Sequence, residues 1–141
     1  MGRILALDYG LKRVGIAVTD PMKIIASPLT TVDEARIMKY LREYLPNENV
    51  ETIVVGMPNR LNGQATHATG AVKKFVAKLR ETFPEVKIDT ENEQYTSKMA
   101  VAAMIAGGMK KKDRIKKSNI DKISASIILQ SYLHRKEYND R

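Results

Sequence analysis

The sequence predicts an α/β fold: a five-stranded mixed sheet flanked by helices, formed by a single domain over residues 1–141. Three observations carry this. Five short, apolar or β-branched runs read as strands, and longer stretches with apolar residues at helical spacing lie among them. The first three runs follow one another with only turns between, so part of the sheet is antiparallel; the later ones alternate with helices, as in an α/β sheet. A chain of 141 residues with 43% hydrophobic content has the size and the apolar material for one core.

Ile4-Leu5-Ala6-Leu7 is the first strand, too short for a helix and stopped by Tyr9-Gly10. It delivers Asp8 at its carboxyl end, the end of an open α/β sheet where ligands bind. Gly10 permits a sharp turn, Lys12-Arg13 follow, and Val14 to Val18 is the second strand. Thr19-Asp20-Pro21 makes a turn into a third strand, Ile24 to Val32, whose Pro28 places it near a sheet edge. Asp33 is a candidate N-cap for a helix with Ile37, Met38, Leu41 and Leu45 on one face, stopped by Pro46-Asn47. Thr52 to Gly56 is a β-branched central strand that opens into a loop, Met57 to Gly63. Val72, Phe75, Val76 and Leu79 mark a helix ending before Pro84, and Val86 to Asp89 is the fifth strand. Thr96 or Ser97 caps a helix over Met99 to Ala106, closed by Gly107-Gly108. Ser118 or Asn119 caps the last helix, with Asp121 in its first turn.

Composition narrows the function. A net charge of +8 calls for an anionic partner, most simply nucleic acid. The absence of cysteine excludes disulfides, thiolate metal sites and cysteine nucleophiles. No signal-peptide pattern opens the sequence and no apolar run has the length of a membrane span, so a cytoplasmic protein with no membrane association is expected. Lys110 to Lys117 is the densest basic run, with six cations in eight residues. Its plainer reading is a solvated loop.

Asp8 ends the first strand, Glu93 lies just beyond the fifth, and Asp121 starts the last helix. If the first and fifth strands run parallel, both acids emerge at one edge, and the helix must bring Asp121 there. Three carboxylates so gathered need a cation. Oxygen donors without cysteine select Mg²⁺ or Mn²⁺ over zinc. Such a site beside a basic surface suits phosphodiester hydrolysis. The plainer readings are a turn residue for Asp8 and a helix-dipole partner for Asp121.

Asp8-Tyr9-Gly10 with Lys12-Arg13-Val14-Gly15, then Val54-Val55-Gly56-Met57-Pro58, then Glu93 with Thr96, then Asp121-Lys122-Ile123-Ser124-Ala125 together resemble the YqgF/RuvX family. That family is described as Holliday-junction resolvase-like proteins and as nucleases that mature the 5′ end of pre-16S ribosomal RNA. The resemblance covers nearly the whole chain. It implies a ribonuclease-H-like fold and an acidic site of Asp8, Glu93 and Asp121, serving as both catalytic residues and metal ligands. The expected chemistry is metal-assisted attack of water on a phosphodiester, with Asp8 bridging the metals where two are bound. Lys12, Arg13, Asn59, Lys110, Lys111 and Lys112 are the candidate substrate-binding residues, and Arg60 and Asn62 share the loop with Asn59. Precursor rRNA is the expected substrate and branched DNA the alternative, with a monomer or weak homodimer as the expected state.

One departure stands out. Where the family usually has Asp-Glu-Arg, this chain has Asn92-Glu93-Gln94. An amide still offers a carbonyl oxygen to a hard cation, whereas Gln94 lacks an arginine's charge and bidentate grip. That change gives weight to a second reading, a non-catalytic nucleic-acid-binding module. A sugar-kinase or actin-like ATPase is disfavoured, because the chain holds one Asp-x-Gly unit and such proteins pair two domains. His67 and His134 read as surface or helix residues.

Overall fold

The computed structural model describes residues 2–58, 67–93 and 117–139, with side chains within 2–57, 69–92 and 119–136. The chain runs β1 (Arg3–Tyr9), β2 (Arg13–Thr19), β3 (Ala26–Asp33), a 3-10 turn (Glu34–Arg36), α1 (Ile37–Asn47), β4 (Val50–Pro58), α2 (His67–Thr82), β5 (Lys87–Glu93) and α3 (Lys117–Asn139). The five strands form one sheet in the order β3-β2-β1-β4-β5. β1 pairs antiparallel with β2 and parallel with β4, and β4 pairs parallel with β5. β1 and β5 therefore run the same way, with β4 between them. β3, with Pro28, is an edge strand as expected. The expected helix over Met99 to Ala106 lies outside the described residues.

The differences from the sequence reading sit at element ends. β3 begins at Ala26 rather than Ile24, because the Asp20 carboxylate accepts the N–H groups of Met22, Ile24 and Ile25 and holds them in a turn. Asp33 precedes the 3-10 turn and makes no side-chain cap bond. Pro46 lies inside α1, which ends at Asn47. A proline this close to the carboxyl end removes only a bond of the last turn. β4 runs through Met57 and Pro58, and β5 includes Glu93 as its last residue. α3 starts at Lys117, so Ser118 and Asn119 fall within the helix and Asp121 in its second turn.

Alternation along the strands divides the core in two. Leu5, Leu7, Ile16, Ile53 and Val55 face α1 and α2, meeting Leu41, Phe75 and Leu79 in the larger cluster. Ile4, Ala6, Ala17 and Val54 face α3, meeting Ala125, Ile128, Leu129 and Tyr132. With both faces covered, the apolar run of β1 is continuous rather than alternating. The α3 side is paved with small residues, and Gly15 is the extreme. A β-carbon there would lie 2.0 Å from the Asp121 carbonyl oxygen, so α3 rests on the bare backbone of β2.

A Gly15→Ala substitution should therefore push α3 off the sheet and destabilise the fold by about 1–3 kcal/mol, as overpacking does. Gly70 in α2 has nothing within 4 Å of an added β-carbon. Gly70→Ala should gain roughly 0.5–1 kcal/mol from helix propensity alone. Urea unfolding of both variants checks the pair. Equal effects of one sign would refute the packing argument.

Candidate active site

The register places the acids. Leu7 pairs with Val55, and Val55 with Thr90. One residue further, Asp8, Gly56 and Glu91 fall on one level in the phase that faces α3. Gly56 puts no side chain between the two acids. Glu93 is paired with Pro58, in the phase of Asp89 and Glu91 and two residues farther along. Asn92 is exposed and pairs with Met57 in the opposite phase, that of the α1/α2 face.

On the other side of β1, Asp8 is opposite Gly15 of β2. That is the residue on which the Asp121 carbonyl rests. The sequence separation is large, yet the glycine brings the backbone of Asp121 to within about one strand spacing of Asp8, roughly 5 Å laterally. Arg13 lies two residues before Gly15, in the same phase, and its Nε donates to Asp121 Oδ2 at 3.1 Å. The pair is only partly open, with side-chain exposures of 35% and 19%. Arg13, expected from the sequence to bind substrate, thus neutralises Asp121 in the structure. The hydroxyl of Ser124, one turn beyond Asp121, is fully buried and has no hydrogen-bond partner among the described residues.

Carboxylate oxygens with no sulfur among them suit a hard cation. Among the described residues no three acidic or imidazole side chains form a cluster; the Glu93 side chain lies outside that description. Lys12 is exposed in the turn between β1 and β2, at the same edge. His134 is exposed on α3, and His67 opens α2. Asn59, Arg60, Asn62, Gln94 and Lys110, Lys111 and Lys112 lie outside the described residues.

A second polar group, not singled out from the sequence, ties the far half of α3 to β5. Glu91 accepts Arg135 Nε at 2.7 Å and Ser131 Oγ at 2.6 Å, and its side chain is 9% exposed. Tyr132 donates its hydroxyl to Asp89 Oδ2 at 2.9 Å. Burial alone pushes the Asp89 carboxyl up, but the Thr90 N–H, the Tyr132 hydroxyl, Lys87 and Arg135 together hold it below the ordinary carboxylate range. The Tyr132 hydroxyl is raised, by burial first and by Asp89 second. A carboxylate every second residue in a strand, followed by an arginine on the last helix, was the available signal.

The sign of the pH effect follows. Asp89 is more acidic folded than unfolded, so its stabilisation is full above the unfolded value near 3.9 and fades as pH falls through the lower folded value. Tyr132→Phe should cost about 1–2 kcal/mol at pH 7, with the difference from wild type shrinking toward pH 2. Urea unfolding at both pH values tests it; a difference independent of pH would separate Tyr132 from Asp89.

Comparisons with known proteins bear on the same residues. A family model described as "RuvX: Holliday junction resolvase" matches residues 2–135. A protein of Amoebophilus asiaticus named "Putative pre-16S rRNA nuclease" is 52% identical over 133 residues, covering 94% of each chain. A protein of Flavobacterium psychrophilum with the same name is 48% identical over 136 residues, covering 96% of this chain and 99% of its own. Among solved structures, RuvC of T. thermophilus in complex with Holliday junction substrate gives a TM-score of 0.56 at 16% identity. That match covers 98% of this chain and 97% of RuvC, and it shows the ribonuclease-H-like fold expected from the sequence. No helix among the described residues is long and apolar enough to cross a membrane.

Proposed function

Since the chain belongs to the RuvX family, we propose that it is a nuclease that hydrolyses phosphodiester bonds with a divalent metal ion, and that its substrate is precursor 16S ribosomal RNA. The observation that carries the reading is at Gly15, the residue that pairs with Asp8 of the central strand and on which the Asp121 backbone of the last helix rests. The names of the close relatives support the substrate, since two of them at about half identity are called pre-16S rRNA nucleases.

Asp8, Asp121 and Glu93 are the residues that would hold the ion. When bound, Mg²⁺ or Mn²⁺ supplies an activated water and neutralises charge on the phosphate. The chain's own residues do the rest. Gly15 fixes the height of Asp121 above the sheet, and Arg13 neutralises its carboxylate until an ion takes the place of the guanidinium. Lys12, exposed at the same edge, and the lysines of 110–112 attract the phosphate backbone without reading its sequence. Cytoplasmic location fits a substrate of this kind.

Asp8→Asn should abolish cleavage of a labelled pre-16S fragment in Mg²⁺ or Mn²⁺, with the melting temperature held or raised in chelator because an acidic repulsion is removed. A four-way DNA junction run in parallel distinguishes the substrates. Cleavage by the variant at the wild-type rate would remove Asp8 from the site, and faster cleavage of the junction would replace the RNA assignment.

Arg13→Gln should lower stability in chelator by up to about 1 kcal/mol, since Asp121 loses its cation. Added Mg²⁺ should then raise the melting temperature more in the variant than in wild type. An equal Mg²⁺ response would show that the ion and Arg13 do not share Asp121.

A further inference from the structure

The next residue along β1 opens onto the other face of the sheet. Tyr9 stacks on Phe75 of α2, with ring centroids 4.3 Å apart and planes 21° from parallel. Its hydroxyl donates to Glu34 Oε1 at 2.9 Å. Together these line a cleft of about 390 Å³ between the 3-10 turn, α1 and α2, with Lys74 and Lys78 on its wall. That volume is in the range of small-molecule sites.

From this cleft we infer a nucleotide-binding site that takes a guanine nucleotide of the substrate strand beside the scissile phosphate. The inference rests on the nuclease reading for its ligand, but each part of the ligand has its own counterpart in the cleft. Lys74 and Lys78 are one helical turn apart on α2, project on the same side, and make no ion pair among the described residues. They are placed to receive a phosphate. Tyr9 is held rigid from both ends, by Phe75 beneath its ring and by Glu34 at its hydroxyl, and offers an aromatic wall for a base. Stacking of this kind contributes about 1–3 kcal/mol per base and tolerates any base.

Glu34 supplies the discrimination. A carboxylate has acceptor capacity for several donors, and the Tyr9 hydroxyl uses one. Guanine presents two adjacent N–H donors on its Watson–Crick edge. Uracil presents one, flanked by carbonyl oxygens that a carboxylate repels. Single-stranded bases are read in this manner, with the edge hydrogen-bonded and the face stacked.

The position also suits a strand that passes over the acidic edge. Asp8 and Tyr9 are consecutive in β1, so their side chains fall on opposite faces of one strand end. A strand with its phosphate at Asp8 can turn its neighbouring nucleotide over the edge toward Tyr9.

The test needs no metal and no cleavage. GMP and UMP are titrated separately into the full ¹⁵N-labelled chain in chelator, for wild type, Glu34→Gln and the Lys74→Ala/Lys78→Ala double variant. The amide of Tyr9 and those of residues 74–78 should shift with GMP, and UMP should bind at least fivefold more weakly. The double lysine variant should lose at least fivefold in affinity for both. Glu34→Gln keeps an acceptor for the Tyr9 hydroxyl but should bring the two nucleotides to within twofold of each other. Shifts confined to the α3 face, no binding, or affinities unchanged in the variants would overturn the site. Because no metal is present, a protein that binds GMP here yet cleaves no RNA would count against the nuclease reading and not against the cleft.

Discussion

The Asp121 carbonyl oxygen lies where a β-carbon of Gly15 would have to be, and the placing of α3 follows from that contact. A helix resting on bare backbone approaches a sheet more closely than one resting on side chains, and small residues meet there, Ala6 and Ala17 of the sheet against Ala125 of the helix. The bulk that the α3 face cannot accept is carried by the other face, where α1 and α2 cover the larger cluster. From Asp121 over β2 to Arg135 at β5 the helix runs about 21 Å at the standard rise. Three strand spacings measure only about 14 Å across the sheet. The helix therefore crosses the strands obliquely, pinned near its start by the glycine contact and near its end by Glu91, Asp89 and their partners.

That double attachment sorts the acids by availability. Glu91 is on the level of Asp8, but it is almost enclosed and already accepts from Arg135 and Ser131. Glu91 is the buried member of this group, and without Arg135 and Ser131 its charge would be left enclosed and unpaired, so it holds the helix to β5. Asp121 has one cation, at a partly open position, and the exchange of Arg13 for another positive charge costs far less. Proximity alone would have chosen Glu91. The hydrogen-bond inventory shows Glu91 to be engaged with α3, and the nuclease reading proposes Glu93, two residues further along β5, in its place.

Much of this was legible in the sequence because it rests on local patterns. The strand run at Ile4–Leu7, the edge position implied by Pro28 and the five-stranded mixed sheet all appear in the structure, which also meets the condition that β1 and β5 run parallel. What escaped were interactions joining distant residues. No period in the chain announces that Arg13 meets Asp121 or that Glu91 meets Arg135. Gly15 read as one residue of a strand, although Gly15 and Ala17, small and in the same phase, were the available hint of a close helix. Asp121 moved from the first turn of its helix to the second, which weakens the dipole explanation for it, since that effect fades beyond the first turn. The segments that carry Asn59 and Lys110 to Lys112 contribute to the functional reading through charge and resemblance alone.

The alternation of β5 also gives the family departure a physical meaning. Asn92 pairs with Met57, in the phase of Ile88 and the α1/α2 core, whereas Asp89 and Glu91, in the other phase, face α3, and Glu93 follows them in register opposite Pro58. An acid changed to an amide at Asn92 therefore subtracts charge from the face opposite to Asp8 and Asp121. The carboxylates that would hold a cation are unaffected in number. The charge is instead removed from the α1/α2 side of the sheet. On this geometry the amide at Asn92 lies on the face opposite to Asp8 and Asp121, so the departure from the family does not alter the acids that the nuclease reading proposes.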